Sequence, residues 1–214
     1  PFIAASAGVS FAAMVSKAVM IVAYVPLAQR LKTTAAVGLS FAVWLCAVMA
    51  MLPVANDPAI SIPLAVAVFC AGILFVRPYR GAGLSAKPAS GGDLLIKGAG
   101  IAMVVGLVEI ASLAAGPQMT GIFAAVPIAL VAMMVLIQSR HGGPASAAVM
   151  AHALLGVAGI SVAFFCLSVT AVPLGLAKAL PLALLVSVGW NGALFALHAL
   201  GPRLRAISIP AKSN

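Results

Sequence analysis

The chain has 214 residues, 64% of them hydrophobic and only 7% charged, with a formal charge of +9. A soluble domain is roughly 45 to 50% apolar and 25% charged, and three acidic residues, Asp57, Asp93 and Glu109, cannot furnish the polar shell it needs. Lipid is therefore the expected solvent for most of the chain. Nucleic acid is excluded as a partner: the basic residues sit in short loops between apolar runs, not on a water-exposed face. Positive-inside topology and attraction to anionic membrane lipids account for the charge.

A bilayer core about 30 Å thick takes roughly 17 to 25 helical residues to cross, and seven apolar runs reach that length. The first, 2–29, ends at the polar segment Gln29 to Thr34, the second, 35–54, ends at Asn56, Asp57 and Pro58, and the third is 59–76. Arg77 to Asp93, RPYRGAGLSAKPASGGD, is rich in Gly, Pro and Ser and reads as a flexible boundary between two halves. Asp93 is placed to cap the next helix. The fourth run, 94–115, stops at Gly116 and Pro117, and the fifth, 120–138, stops at SRHGGP. The sixth, 145–170, precedes a turn at Pro173, and the seventh, 174–200, precedes Gly201, Pro202 and a basic tail. The expected fold is all-α, a polytopic transmembrane bundle of about seven helices: an N-terminal segment (1–76), a cytoplasmic linker (77–93), a four-helix segment (94–200) and a basic cytoplasmic tail (201–214). Cys46, Cys70 and Cys166 lie inside apolar runs and read as small packing residues, without disulfide or metal spacing.

Arg30, Lys32, Arg77, Arg80, Lys87, Arg140, Arg203, Arg205 and Lys212 all fall on one side of this map, and the opposite loops contain no Lys or Arg. The positive-inside rule then places the start of the first helix in the periplasm and the C-terminus in the cytoplasm of a bacterial inner membrane. Ala5, Ser6, Ala7 and Val9 also match Ala145, Ser146, Ala147 and Val149, and Ser40 to Trp44 matches Ser187 to Trp190. The matched runs are five apart and so face opposite ways across the membrane, an inverted repeat of the transporter kind. Such a repeat calls for about two further helices before Pro1, in keeping with the absence of an initiating Met. The first run is too long for a signal peptide and lacks a basic leader.

Glu109 is the one acidic residue inside an apolar run, where a carboxylate must be protonated, paired or hydrated. It reads as a proton or cation site or as a structural ion pair. Lys17, near the middle of the first run, lies at a depth from which it can reach Glu109, or it extends along its helix to interfacial water. His152 is a candidate proton relay or a helix-packing hydrogen bonder, and Asn191 is expected to find its partner in another helix or in a ligand. Pro26, Pro63, Pro127 and Pro181 interrupt helices and free carbonyls, which marks either a substrate path or plain kinks; Pro127 and Pro181 are the two taken to line the path. Lys97, Lys178 and His198 lie near helix ends. The glycines of the Gly98 to Gly106 series, and Gly156 with Gly159, suit close helix contact rather than phosphate binding. No cofactor or metal is implied, and the lack of any pairing of nucleophile with base argues against an enzyme with catalytic residues.

Residues 94–200 resemble the small GlpM-type bacterial membrane proteins in Lys97 and Gly98 at the start of a helix, the segment GIFAAVPIAL from Gly121 to Leu130, the small-residue opening of the sixth run, and the last helix bearing Trp190. That resemblance implies an inner-membrane location and a link to exopolysaccharide production, with no catalytic set to carry over. Two functions fit: a small transporter or exporter of an unidentified small molecule, acting as a monomer or homodimer, in which Glu109 and Lys17 couple to a proton or bind substrate, or a non-transporting scaffold subunit with a membrane-complex partner. A retinal-type photoreceptor fails, because Lys178 is near a helix start and the third run has no acidic counter-ion.

Overall fold

The computed structural model describes residues 2–55, 57–82 and 126–207. These residues form α1 (Phe2–Arg30), α2 (Thr33–Met51), α3 (Pro58–Val76), α4 (Ile128–His141), α5 (Gly143–Thr170) and α6 (Leu176–Ile207), with 3-10 turns at Leu52–Val54 and Arg77–Gly81, and no strand. Five of the helices hold spans long and apolar enough to cross a membrane, and α4, with 14 residues, is shorter. The chain is an all-helical bundle embedded in a membrane.

Local chemistry sets the helix ends. The Asp57 carboxylate accepts from the Ala59 N–H at 2.9 Å and Pro58 occupies the first turn of α3, so one orphan donor is met and one is absent. Gly142, at φ 84°, turns the chain between α4 and α5 through a single residue, a conformation that a Cβ would strain. Pro26 and Pro63 lie inside α1 and α3, and both helices continue through them.

α1 is the central element: 67% of its span is buried, against 6% for α6. It packs against α2, α3 and α5, while α6 packs mainly on α5. α1 and α5 run antiparallel, since Gly143 lies against Ala28 at one end and the rings of Phe11 and Phe165 stand 5.5 Å apart at the other. A methyl group at position 143 would overlap the Ala28 carbonyl, so the two backbones meet there only because the residue is glycine. Buried Ala12, Ala13, Ala18, Ala147, Ala148 and Ala151 extend this small-residue seam. α3 runs parallel to α1, with Gly72 opposite Val22 and Ala65 clustered with Phe11. Arg30, Arg77 and Arg140 therefore come to one end of the bundle, the basic end, and Asp57 to the other.

Trp44, Tyr24, Met20, Met134 and Leu154 fill the core. Leu39, Leu45, Val66, Leu74, Leu184, Leu185 and Phe195 point outward, which carries no hydrophobic penalty where the neighbour is a lipid tail.

Several sequence expectations are revised. The fourth run, 94–115, and residues 120–125 of the fifth lie outside the described residues, leaving six helices within them. Pro127 precedes α4 as its cap residue and does not interrupt it; the Val131 N–H bonds the Pro127 carbonyl at 2.8 Å. The expected linker does not begin at Arg77, because Arg77–Gly81 continues α3 as a 3-10 turn packed on α5. α6 continues past residue 200 to Ile207, since Pro202 removes one N–H and neighbouring turns keep the helical path. Cys46 and Cys70 are exposed on the outer surface, and only Cys166 is half-buried.

Candidate functional site

Lys17, on α1, is half-buried, and among the described residues nothing forms a hydrogen bond or ion pair with it. Glu109 is outside the described residues, and its pairing with Lys17 rests on the sequence alone. His152 is exposed on α5, where Nδ1 lies 2.8 Å from the Ala148 carbonyl one turn back. Asn191 is exposed on α6 and donates to the Ser187 carbonyl at 2.9 Å, so its partner is its own helix, not another helix as expected. Amide and hydroxyl side chains in helices bond the carbonyl one turn earlier whenever no better acceptor is in reach; Ser16, Ser161 and Thr170 do the same. Pro181 is exposed and Pro127 fully buried. No described contact joins these residues into one pathway.

A polar cluster that the sequence reading did not single out lies between α1, α4 and α5. Gln138 Nε2 donates to the Leu31 carbonyl at 3.0 Å and approaches the Ala28 carbonyl at 3.4 Å, capping the last turn of α1. That fixes the amide, so Gln138 Oε1 accepts from the Tyr24 hydroxyl at 2.8 Å. The single Tyr24 proton is thereby committed, and the 2.7 Å contact with Ser146 Oγ has the serine as donor. All three side chains are buried. The signal for them in the sequence was Tyr24 and Gln138 standing within apolar runs, where a polar group must find an internal partner.

The second feature is a cleft of about 280 Å³ open to the side of the bundle, with wholly apolar walls. Ile62, Val66, Phe69 and Cys70 of α3 form one wall and Trp190 of α6 the other; Phe11, Ser161 and Phe165 form the floor. Ser161 adds no polarity because its hydroxyl is bound to the Val157 carbonyl at 2.9 Å. Trp190 is held by its indole N–H, which donates to the Leu155 carbonyl at 2.9 Å, while its ring fills the notch left by Gly159.

At the basic end, Arg80 Nε and Nη2 and His141 Nδ1 are buried without a hydrogen-bond partner among the described residues. Asp57, the one acidic residue among those described, is at the opposite end. No three His, Cys, Asp or Glu side chains come together among the described residues.

Compared with protein-family models, curated proteins and solved structures, the chain matches none. The fold and the site thus define a class, a helical membrane protein with a lateral apolar cleft and a buried polar cluster, without naming a family.

Proposed function

We propose that this protein is a small transporter or exporter of the bacterial inner membrane, with the basic end in the cytoplasm and an inverted pair of helical hairpins at its centre. The observation that carries the reading is the antiparallel packing of α1 on α5, with α2 folded back on α1 and α6 folded back on α5. The sequence match pairs α1 with α5 and α2 with α6, and the antiparallel crossing is the relation that an in-plane pseudo-two-fold axis requires. The two copies differ where function would reside. Ser146 meets Tyr24 at the basic end, whereas the far end holds the Phe11 and Phe165 pair.

Lys17, with no polar partner among the described residues, and Glu109 are the coupling candidates. Glu109→Gln is expected to abolish solute movement in proteoliposomes while leaving the folded amount in membranes unchanged. Loss of the folded protein instead would make Glu109 a structural partner. A second reading, an accessory or scaffold subunit, is favoured by the outward face of α6, where Leu184, Leu185, Val188 and Phe195 are all exposed. Mild crosslinking in membranes separates the two: a partner at fixed stoichiometry supports the scaffold, and an isolated protein that moves solute excludes it.

A further inference from the structure

The cleft between α3 and α6 opens sideways within the membrane span, flanked by the outward apolar faces of both helices. Its lining is wholly apolar, so it offers a sugar, an amino acid or an ion nothing to replace lost hydration. An apolar wall facing hydrocarbon gains dispersion contacts along its length from a chain that lies in it. The lining residues on α3 run from Ile62 to Ile73, and Arg77 and Arg80 come next on the same helix and its 3-10 extension. Arg77 is exposed, and half-buried Arg80 has two guanidinium nitrogens, both buried, with no acceptor among the described residues. No acidic residue among those described stands at this end to neutralise them.

We propose that the α3–α6 cleft binds one acyl chain of an anionic phospholipid from the surrounding leaflet, with its phosphate at Arg77 and the Arg80 turn. Apolar matching fixes the chain, and charge complementarity fixes which end of the cleft takes the headgroup. This assignment deepens the transporter reading and rests on it only for the movement of lipid after binding, not for the binding itself.

The test is photolabelling of the purified chain in nanodiscs, using phosphatidylglycerol with a diazirine at mid-chain and phosphatidylcholine with the same group. The expected result is saturable labelling around Phe69, Cys70 and Trp190, competed by unlabelled phosphatidylglycerol, while the lipid-facing surface around Cys46 on α2 labels in proportion to lipid. Val66 is 57% exposed at the cleft mouth, so Val66→Trp obstructs the cleft without disturbing the core and lowers saturable labelling about tenfold. Arg77→Gln with Arg80→Gln weakens phosphatidylglycerol about fivefold per arginine and leaves phosphatidylcholine unchanged. Labelling that never saturates, or that Val66→Trp leaves intact in a folded protein, overturns the proposal, as does equal competition by the two lipids. Saturable binding in a protein that moves nothing across vesicles keeps the cleft and refutes transport. Transport without saturable labelling does the reverse.

Discussion

Replacing Tyr24 with Phe removes one hydroxyl from a buried cluster and leaves the ring in place. The hydroxyl donates to Gln138 Oε1 at 2.8 Å and accepts from Ser146 Oγ at 2.7 Å. Hydrogen bonds between membrane helices average about 0.6 kcal/mol and reach about 1.7, so two of them give about 1.2 kcal/mol. The Gln138 oxygen is then left without a donor in a buried site, a deficit worth about 1 kcal/mol or more. Because Gln138 also caps α1 through the Leu31 carbonyl, its loosening is felt at the helix end. The expected loss is about 2 kcal/mol in reversible unfolding in mixed micelles, roughly a thirtyfold change in the equilibrium. Ser146→Ala removes one bond and costs about 0.6 kcal/mol. The double variant should show a coupling of about 0.5 to 1 kcal/mol. Strict additivity, or a Tyr24→Phe variant as stable as the parent, would refute the bonded cluster.

The glycine notches yield further expectations. Gly143→Ala places a methyl against the Ala28 backbone carbonyl, which cannot swing aside, and should cost about 1 to 3 kcal/mol or more in the same unfolding assay. Gly72→Ala meets a Val22 side-chain methyl at 2.9 Å and a Leu154 methyl at 3.4 Å, side chains rather than backbone, so its loss should be about 1 kcal/mol and smaller than that of Gly143→Ala; equal losses at the two positions would contradict the crossing geometry. Gly159→Ala drives a methyl into the Trp190 ring and breaks the indole bond to Leu155. In a Trp44→Phe background it should shift Trp190 emission, and an unchanged spectrum would place the ring elsewhere.

Much of the fold was legible because lipid imposes length and polarity together. The runs at 2–29, 59–76 and 145–170 correspond to α1, α3 and α5 to within two residues at each end. Breakers were less legible. Pro127 and Pro202 carry the same rule in sequence, yet one precedes a helix and the other lies inside one, because neighbouring turns decide whether a missing N–H ends a helix. The candidate site was the least legible part. The sequence points Asn191 to a partner in another helix or a ligand and His152 to a relay or a packing bond, and both bond the carbonyl one turn back along their own helices. Tyr24 and Gln138 drew no notice, since no spacing in the sequence links residues more than a hundred positions apart, yet they carry the polar bonds that join α1 to α4.

These placements divide the bundle by chemistry. α1, α4 and α5 are joined by directional bonds that specify one arrangement at the basic end, and the small-residue seam lets the α1 and α5 backbones meet there. α6 is held on α5 by the Trp190 indole bond and ring, with most of its remaining surface turned outward. A ligand in the α3–α6 cleft therefore presses on a wall fixed by Trp190 on one side and on the α1/α5 floor beneath it. Since the Ser161 hydroxyl is already spent on its own helix, the cleft can discriminate only by shape and chain length along its apolar walls. Any preference among headgroups must then arise at the arginines beyond Ile73, which is why the headgroup arm of the labelling experiment decides whether the site selects an anionic lipid.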